Sequence, residues 1–266
     1  MSNPAYEMVK TARKLSRPTS QQYIDYMIDG FVEFHGDRQV KDDKAVVGGI
    51  GFLSGKPVTI IGIQKGQTLD DNIYRNFGQV NPDGYRKALR LMKQAEKFGR
   101  PVITLVNTAG AYCGIDAEER GQGEAIARNL MEMSGLRTPI ISIIIGEGAS
   151  GGALGLAVAD RVWVLENSFY SILSPEGFSS ILWKDGTRGA EAAEAMRLTP
   201  KDLLEFKVVE EIIPEAPGGA DQDFKYTADI IKEKLINEFE KLFQKPVDQL
   251  LNERYMRFRK FGEFTE

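Results

Sequence analysis

Pro139-Ile-Ile-Ser-Ile-Ile-Ile145 is an apolar run that ends directly on Gly146-Glu-Gly-Ala-Ser-Gly-Gly-Ala153. A short isoleucine-rich run bounded by glycine reads as a strand, and the small residues beyond it as a turn into a short helix over Gly152–Ala159. The neighbouring sequence repeats that grammar. Val102–Val106 reads as a buried strand, Ala117–Met133 as a helix and Val162–Leu165 as a further strand. Strands alternating with helices imply parallel pairing with helices packed on the sheet, so the fold class is α/β.

The ends are helical in pattern. Tyr23, Ile24, Met27, Ile28 and Phe31 fall at helical spacing and predict one amphipathic helix. Ala45–Leu53 and Val58–Ile63, joined by Ser54-Gly-Lys-Pro57, read as a hairpin, and Gly84–Phe98 as a helix stopped by Gly99. After Pro175 the pattern is mostly helical, with one apolar run at Val208–Ile213. Lys225–Phe261 is helical again, interrupted by Pro246. The expected division is a helical segment over 1–44, one core over 45–219 and helices over 220–266.

What the chain lacks constrains its chemistry. It holds one histidine, His35, and one cysteine, Cys113. A Cys/His zinc site needs about four such ligands, and a disulfide within the chain is impossible. No apolar run approaches the ~18 residues of a membrane span, and the first twenty residues show no signal-peptide core. A cytoplasmic location is expected, with no membrane association. A net charge of −4 argues against a surface that tracks nucleic acid.

The glycine-rich turn admits three readings. Gly146, Gly148 and Gly151 match G-x-G-x-x-G, with Glu166 where a ribose-binding acid would sit. Gly148, Ser150 and Gly152 match the G-x-S-x-G of a serine nucleophile. That chemistry needs a histidine after the serine, and none follows position 35; Ser150 reads better as a helix N-cap. In the third reading, a strand ending in glycines and entering a helix aims free N–H groups at one point, and such a site stabilises an oxyanion without histidine. Asn107-Thr-Ala-Gly-Ala-Tyr-Cys-Gly114 forms a second turn of this kind after the preceding strand. The plainer alternative is that the glycines only permit tight helix–sheet packing.

Several strings are distinctive in combination: Ala45-Val-Val-Gly-Gly-Ile50, Gln64-Lys-Gly66, Arg75-Asn-Phe-Gly78, Gly84-Tyr-Arg-Lys-Ala-Leu-Arg-Leu-Met92, Ala117-Glu-Glu-Arg-Gly-Gln122, Glu124-Ala-Ile-Ala-Arg-Asn129, Ser150-Gly-Gly-Ala-Leu154, Ser174-Pro-Glu-Gly177 and Ser180-Ile-Leu-Trp183. From about Tyr23 to Gly219 the chain resembles the alpha subunits of bacterial acetyl-coenzyme A carboxylase carboxyltransferase. The resemblance implies a crotonase/ClpP-like ββα spiral with helical extensions. It implies transfer of a carboxyl group from carboxybiotin to acetyl-CoA, giving malonyl-CoA for fatty acid synthesis. It further implies an α2β2 assembly in which the beta subunit binds the coenzyme A thioester and carries the zinc. A biotin carboxyl carrier protein delivers biotin, and biotin carboxylase acts indirectly.

Carried onto this sequence, the resemblance makes Gly151 and Gly152 backbone donors to the biotin oxygen, with Gly110 and Ala111 lining the same site. Tyr112, Gly114, Gly148, Ser150, Ser174 and Glu176 are the implied pocket residues. No metal ligands are expected in this chain. The turn at Asn107–Gly114 departs from the family's Asp-Thr-Pro-Gly-Ala-Tyr-Pro-Gly by losing two prolines. That difference keeps open a non-catalytic partner-binding subunit, and the literal glycine pattern keeps open a nucleotide-dependent oxidoreductase.

Other residues have structural readings. Arg86, Lys87 and Arg90 could attract coenzyme A phosphates or a partner, as could Arg75, but the first three read as a solvated helix face. Glu118, Glu119 and Arg120 suit a helix start, Glu147 a supporting role, and His35 an ordinary surface position. Cys113 lacks a flanking cation that would activate its thiol.

Overall fold

Every residue of Val102–Thr108 and Ile140–Ala149 is buried, as strands covered on both faces must be. The computed structural model describes residues 4–262. Helices α1 (Pro4–Ala12) and α2 (Ser20–Met27) precede strand β1 (Asp29–Glu33) and the pair β2 (Val46–Leu53) and β3 (Lys56–Ile63). Helices α3 (Leu69–Tyr74) and α4 (Pro82–Lys97) lead to β4 (Val102–Thr108), α5 (Ile115–Glu119) and α6 (Gln122–Ser134). Then follow β5 (Ile140–Ala149), α7 (Ser150–Leu154), β6 (Arg161–Leu165), β7 (Phe169–Ser171), α8 (Pro175–Trp183), α9 (Gly189–Ala195) and α10 (Pro200–Glu205). The last elements are β8 (Glu211–Ile213), α11 (Phe224–Phe243) and α12 (Val247–Arg259).

The strands form one sheet in the order β1-β2-β3-β4-β5-β6-β8. The β1–β2 and β2–β3 pairs are antiparallel and the rest parallel. Strand β5 has two partners on one edge: Ile141–Ile144 pair with β6, and Glu147–Ala149 with β7. Two successive strands therefore follow one long strand before α8 closes the turn, which is the ββα spiral.

Alternation along β4 and β5 divides the core. Val102, Val106, Ile140 and Ile144 pack with Tyr85, Leu91 and Met92 of α4 and with Met133 of α6. Ile103, Leu105, Ile141 and Ile143 pack on the other face with Tyr23, Ile24 and Met27 of α2 and with Ile231 and Leu235 of α11. The two hydroxyls among the apolar positions, Thr104 and Ser142, both donate to Leu156 O, at 2.7 and 3.2 Å. That satisfies them in the core and anchors the segment just beyond α7.

Several boundaries differ from the sequence reading. The amphipathic helix stops at Met27, because Gly30 adopts φ +60 and Asp29–Glu33 pairs with β2 instead. Phe31 therefore sits on a strand. Gly49 admits this strand: a Cβ there would lie 2.0 Å from Val32 O. The helix read over 117–133 is broken at Gly121, whose φ of +80 separates α5 from α6. Strand β5 runs through the glycines to Ala149, and the short helix occupies 150–154 rather than 152–159. The hairpin and the helices on either side of Pro246 stand where they were read. Among the described residues no helix is long and apolar enough to cross a membrane.

Candidate active site

Strands β4 and β5 lie side by side and end at the same level, Thr108 opposite Gly148 after a bulge. Their following turns must therefore meet. A Cβ built on Gly152 would lie 2.3 Å from Ala111 N and 2.5 Å from the Gly110 carbonyl carbon. Gly152 thus packs against Gly110 and Ala111, with Gly151 next to it in sequence. Their N–H groups are not equivalent. Gly110 N–H donates to Thr108 Oγ1 at 3.0 Å and is used inside its own turn. Tyr112 N–H donates to Val80 O. Ala111 N–H has no acceptor among the described residues. Gly151 and Gly152 occupy the first turn of α7, whose N–H groups have no intrahelical acceptor, and no side chain caps that helix.

Ser150 does not cap α7. Ala149 takes that position, and Ser150 opens the helix at φ +61, an uncommon conformation for serine. Its side chain is exposed at the elbow. The only histidine, His35, is engaged elsewhere, with Nδ1 3.2 Å from Asp42 and 3.5 Å from Glu33. Ser150→Gly, which suits a positive φ, is expected to retain most of the chain's activity. Losing a serine nucleophile instead costs on the order of 10⁶ in kcat, so steady-state rates of the variant separate the two roles.

The dinucleotide reading fails on geometry. Gly146 and Gly148 are interior to β5, not on a turn after it, and α7 has five residues. Glu166 accepts the N–H of Glu215 at 3.1 Å. No Gly-rich turn is left to approach a pyrophosphate.

A cleft of about 610 Å³ opens at Ser150 and Gly151. Its walls come from later elements, with Tyr170 and Ile172 at β7, Phe178 on α8, and Met196, Arg197 and Phe206 around α10. These residues gave no sequence signal. Burial pushes the Tyr170 phenol up to about 12, so it stays protonated at neutral pH and can only offer a neutral hydroxyl.

The remaining implied residues are placed differently. Ser174 caps α8 through Gly177 N–H at 3.0 Å. Glu176 accepts from Tyr6 at 3.1 Å and Arg13 at 3.0 Å. Burial alone would raise its carboxyl, but the Arg13 bond and charge hold it below its ordinary value. Gly148 faces Ile144 and Phe169, where a Cβ would stand 2.9 Å from Ile144 Cγ2. The Tyr112 ring packs over Gly114, closer than any Cβ there would allow.

Glu147 is a buried hub. It accepts from Arg13 at 2.9 Å and Lys65 at 3.0 Å, while its own N–H donates to Asn107 Oδ1 at 3.1 Å. Occupied by two cations, it supports the turn, and Asn107 ties the ends of β4 and β5 together. Arg86, Lys87 and Arg90 are not a solvated face. Lys87 is fully buried and donates to Asp42 at 2.7 Å. Arg86 bridges Asp37 and Asp83 at 2.8 Å each, and Arg90 reaches Gly36 O at 3.2 Å. Arg75 pairs with Asp71 and donates to Lys44 O, and Cys113 is exposed and free.

The family model described as acetyl co-enzyme A carboxylase carboxyltransferase-like matches residues 3–262. The chain belongs to this family. An acetyl-coenzyme A carboxylase carboxyl transferase subunit alpha of Streptococcus pyogenes serotype M5 (strain Manfredo) is 61% identical over 254 residues, covering 96% of this chain and 98% of the relative. The protein of the same description from Streptococcus pneumoniae (strain Hungary19A-6) is 62% identical over 255 residues, with the same 96% and 98% coverage. Among solved structures, transcarboxylase 12S with hydrolysed methylmalonyl-coenzyme A bound superposes with a TM-score of 0.71 at 16% identity. That match covers 92% of this chain and 45% of the other, so this chain spans under half of the transcarboxylase chain. A Pseudomonas malonate decarboxylase hetero-tetramer in complex with coenzyme A gives 0.64 at 16% identity, covering 79% and 84%. At such identity these structures speak to the crotonase-like fold alone, and they agree with the spiral seen in β5, β6 and β7.

Proposed function

We propose that this chain is the alpha subunit of an acetyl-CoA carboxylase carboxyltransferase and, with a partner beta subunit, moves a carboxyl group from carboxybiotin to acetyl-CoA. Its product is malonyl-CoA, which feeds fatty acid synthesis. The observation that carries the reading is the meeting of two backbone turns, which brings Gly152 against Ala111. It leaves the N–H groups of Gly151, Gly152 and Ala111 without an acceptor among the described residues, with Gly151 on the edge of a cleft. Family membership and the closeness of the streptococcal alpha subunits support the same assignment.

Biotin, brought by a separate carrier protein, would supply the carboxyl group, and its ureido oxygen would be the atom to hold where negative charge develops. The cleft suits such a ring system, with Ile172 and Phe178 as apolar walls and Tyr170, Ser171 and Arg197 as the polar groups among them. Gly151 and Gly152 hold that oxygen through N–H groups backed by the first turn of α7, and each donor of this kind contributes roughly 3–4 kcal/mol in the transition state. Ala111 adds a third N–H from the facing turn, while Gly110 shapes the turn and keeps its own N–H on Thr108. Glu147, Arg13 and Lys65 hold the ends of the strands in register. The acetyl-CoA thioester and zinc belong on the partner, and no side-chain base in this chain is assigned to the acetyl proton.

The test is co-expression with the beta subunit and an assay of malonyl-CoA-dependent carboxylation of a biotin analogue. Transfer by the complex, and none by either subunit alone, is the expected result. A stable complex that cannot carboxylate the analogue would overturn the assignment and leave a partner-binding role.

A further inference from the structure

Behind the turn at 110–121, helices α4 and α6 and the loop 36–42 enclose a second, polar pocket of about 520 Å³. Four arginines line it, Arg38, Arg86, Arg90 and Arg128, against two carboxylates, Asp37 and Glu124. Those carboxylates are already engaged. Asp37 takes Arg86 at 2.8 Å and the N–H groups of Gln39, Val40 and Lys41. Glu124 pairs with Arg128 at 3.7 Å on the exposed rim.

Arg38 and Arg90 are left over. Arg38 donates to His35 O at 2.7 Å, and Arg90 donates to Gly36 O and His35 O at 3.2 and 3.4 Å. Neither has an ion-pair partner among the described residues within 4.0 Å. Burial, and then the charge of Arg38, hold the Arg90 guanidinium below its ordinary pKa. Both cations hydrogen-bond only to carbonyls. The charges of Asp42 and Asp37 act on Arg90 from beyond ion-pair distance, but no contact neutralises either guanidinium, which leaves the pair able to take an anion. Arginine forks match the oxygens of a phosphate, two N–H groups to two oxygens.

The inner wall supplies a further group. Asn129 is fully buried, donates from Nδ2 to Gly155 O at 3.1 Å, and has no hydrogen-bond partner at Oδ1. An unused acceptor of this kind suits a ligand hydroxyl. Gly155 caps the C-terminus of α7, so the pocket abuts the helix that carries the oxyanion donors.

We propose that this pocket is a binding site for a hydroxyl-bearing phosphate ester, with the phosphate held by Arg38 and Arg90 and a hydroxyl directed to Asn129. A concave pocket of this size takes a small ligand, with Arg90 half-buried on its wall and Arg38 exposed at its edge. The phosphate has two possible sources, a free sugar phosphate or the phosphorylated ribose of a coenzyme A thioester.

Calorimetric titration of the full chain at low salt with ribose 5-phosphate, coenzyme A and dephospho-coenzyme A tests this. Binding of ribose 5-phosphate, or of coenzyme A more tightly than dephospho-coenzyme A, is expected; the first points to a free sugar phosphate and the second to the substrate's ribose. Arg38→Gln and Arg90→Gln should each weaken the preferred probe roughly tenfold. Lys97→Gln, the same charge change at the exposed end of α4, should leave it unaltered. The proposal is overturned if no probe binds, if the arginine variants bind like wild type, or if Lys97→Gln weakens binding equally. Because the chain is titrated alone, the result does not depend on the carboxyltransferase reading.

Discussion

Gly152→Ala is expected to lower carboxyl transfer by two to three orders of magnitude, about 3–4 kcal/mol of transition-state stabilisation, while Gly151→Ala stays near wild type. The two glycines are adjacent in sequence and opposite in surroundings. A methyl on Gly152 would stand 2.3 Å from Ala111 N and 2.5 Å from the Gly110 carbonyl carbon, both backbone atoms. A methyl on Gly151 meets nothing closer than Ile126 Cγ2 at 3.8 Å, an ordinary contact. Alanine at 152 therefore forces the β4 and β5 turns apart and spreads the donors that must converge on one oxygen. Alanine at 151 keeps its N–H in place.

Both variants should be assayed in complex with the partner subunit, with thermal unfolding measured alongside. Overpacking at 152 also destabilises, by about 1–3 kcal/mol, so the assay is run well below the variant's midpoint. Equal rates for Gly152→Ala and wild type would show that the turns do not need to touch. An equally inactive Gly151→Ala would show that something other than backbone approach governs the site.

The two turns were legible in the sequence because glycine and alanine after a buried strand leave the backbone exposed whatever the tertiary structure does. Which N–H groups stay free was not legible. Thr108 Oγ1 consumes that of Gly110, and only the assembled turn shows it. The strand β5 was recognised from its isoleucines, but its end was not. Its last residues are strand because Phe169–Ser171 pairs with them on one edge and Thr108 with Gly148 on the other, and three residues carry no period to read.

The cleft walls were missed for a related reason. Tyr170, Phe178, Met196 and Phe206 come from separate elements, each unremarkable in its own window. The arginines of α4 misled in the opposite direction. Charges at positions 86, 87 and 90 look solvated when the helix is read alone, yet the loop at 36–43 lies over them and brings Asp37, Asp42 and the Asp43 carbonyl to them. An acidic loop without periodicity gives no warning of where it will pack. The edge strand β1 shows the same limit: helical spacing continued through Phe31, and Gly30 decided against it.

Arg17→Met is expected to destabilise the folded chain by about 3–5 kcal/mol at neutral pH, the usual consequence of stranding one member of a buried ion pair. Arg17 and Glu215 are 3% and 5% exposed. The guanidinium pairs with the Glu215 carboxylate and also donates to Ile145 O at 2.6 Å and Ser168 Oγ at 2.8 Å. It thereby pins the segment before α2 to β5, one residue ahead of the glycines. Burial alone would raise the Glu215 carboxyl, but the Arg17 bond and charge, with Asn167, reverse this and hold it below its ordinary value. A carboxyl depressed by folding stabilises the native state above its unfolded pKa of about 4.3, and that contribution is lost as pH falls through the folded value. Without Arg17 the burial effect dominates, so the folded pKa rises above the unfolded one and the carboxylate becomes a penalty above about 4.3 that vanishes on protonation. The stability gap between variant and wild type should therefore be widest at pH 7 and narrow below about pH 4. Urea unfolding at both pH values measures it, and adding Glu215→Gln to the variant should recover part of the loss at neutral pH. A gap that does not change with pH would mean that Arg17 acts through its packing and its bonds to Ile145 and Ser168, and not through the charge of Glu215.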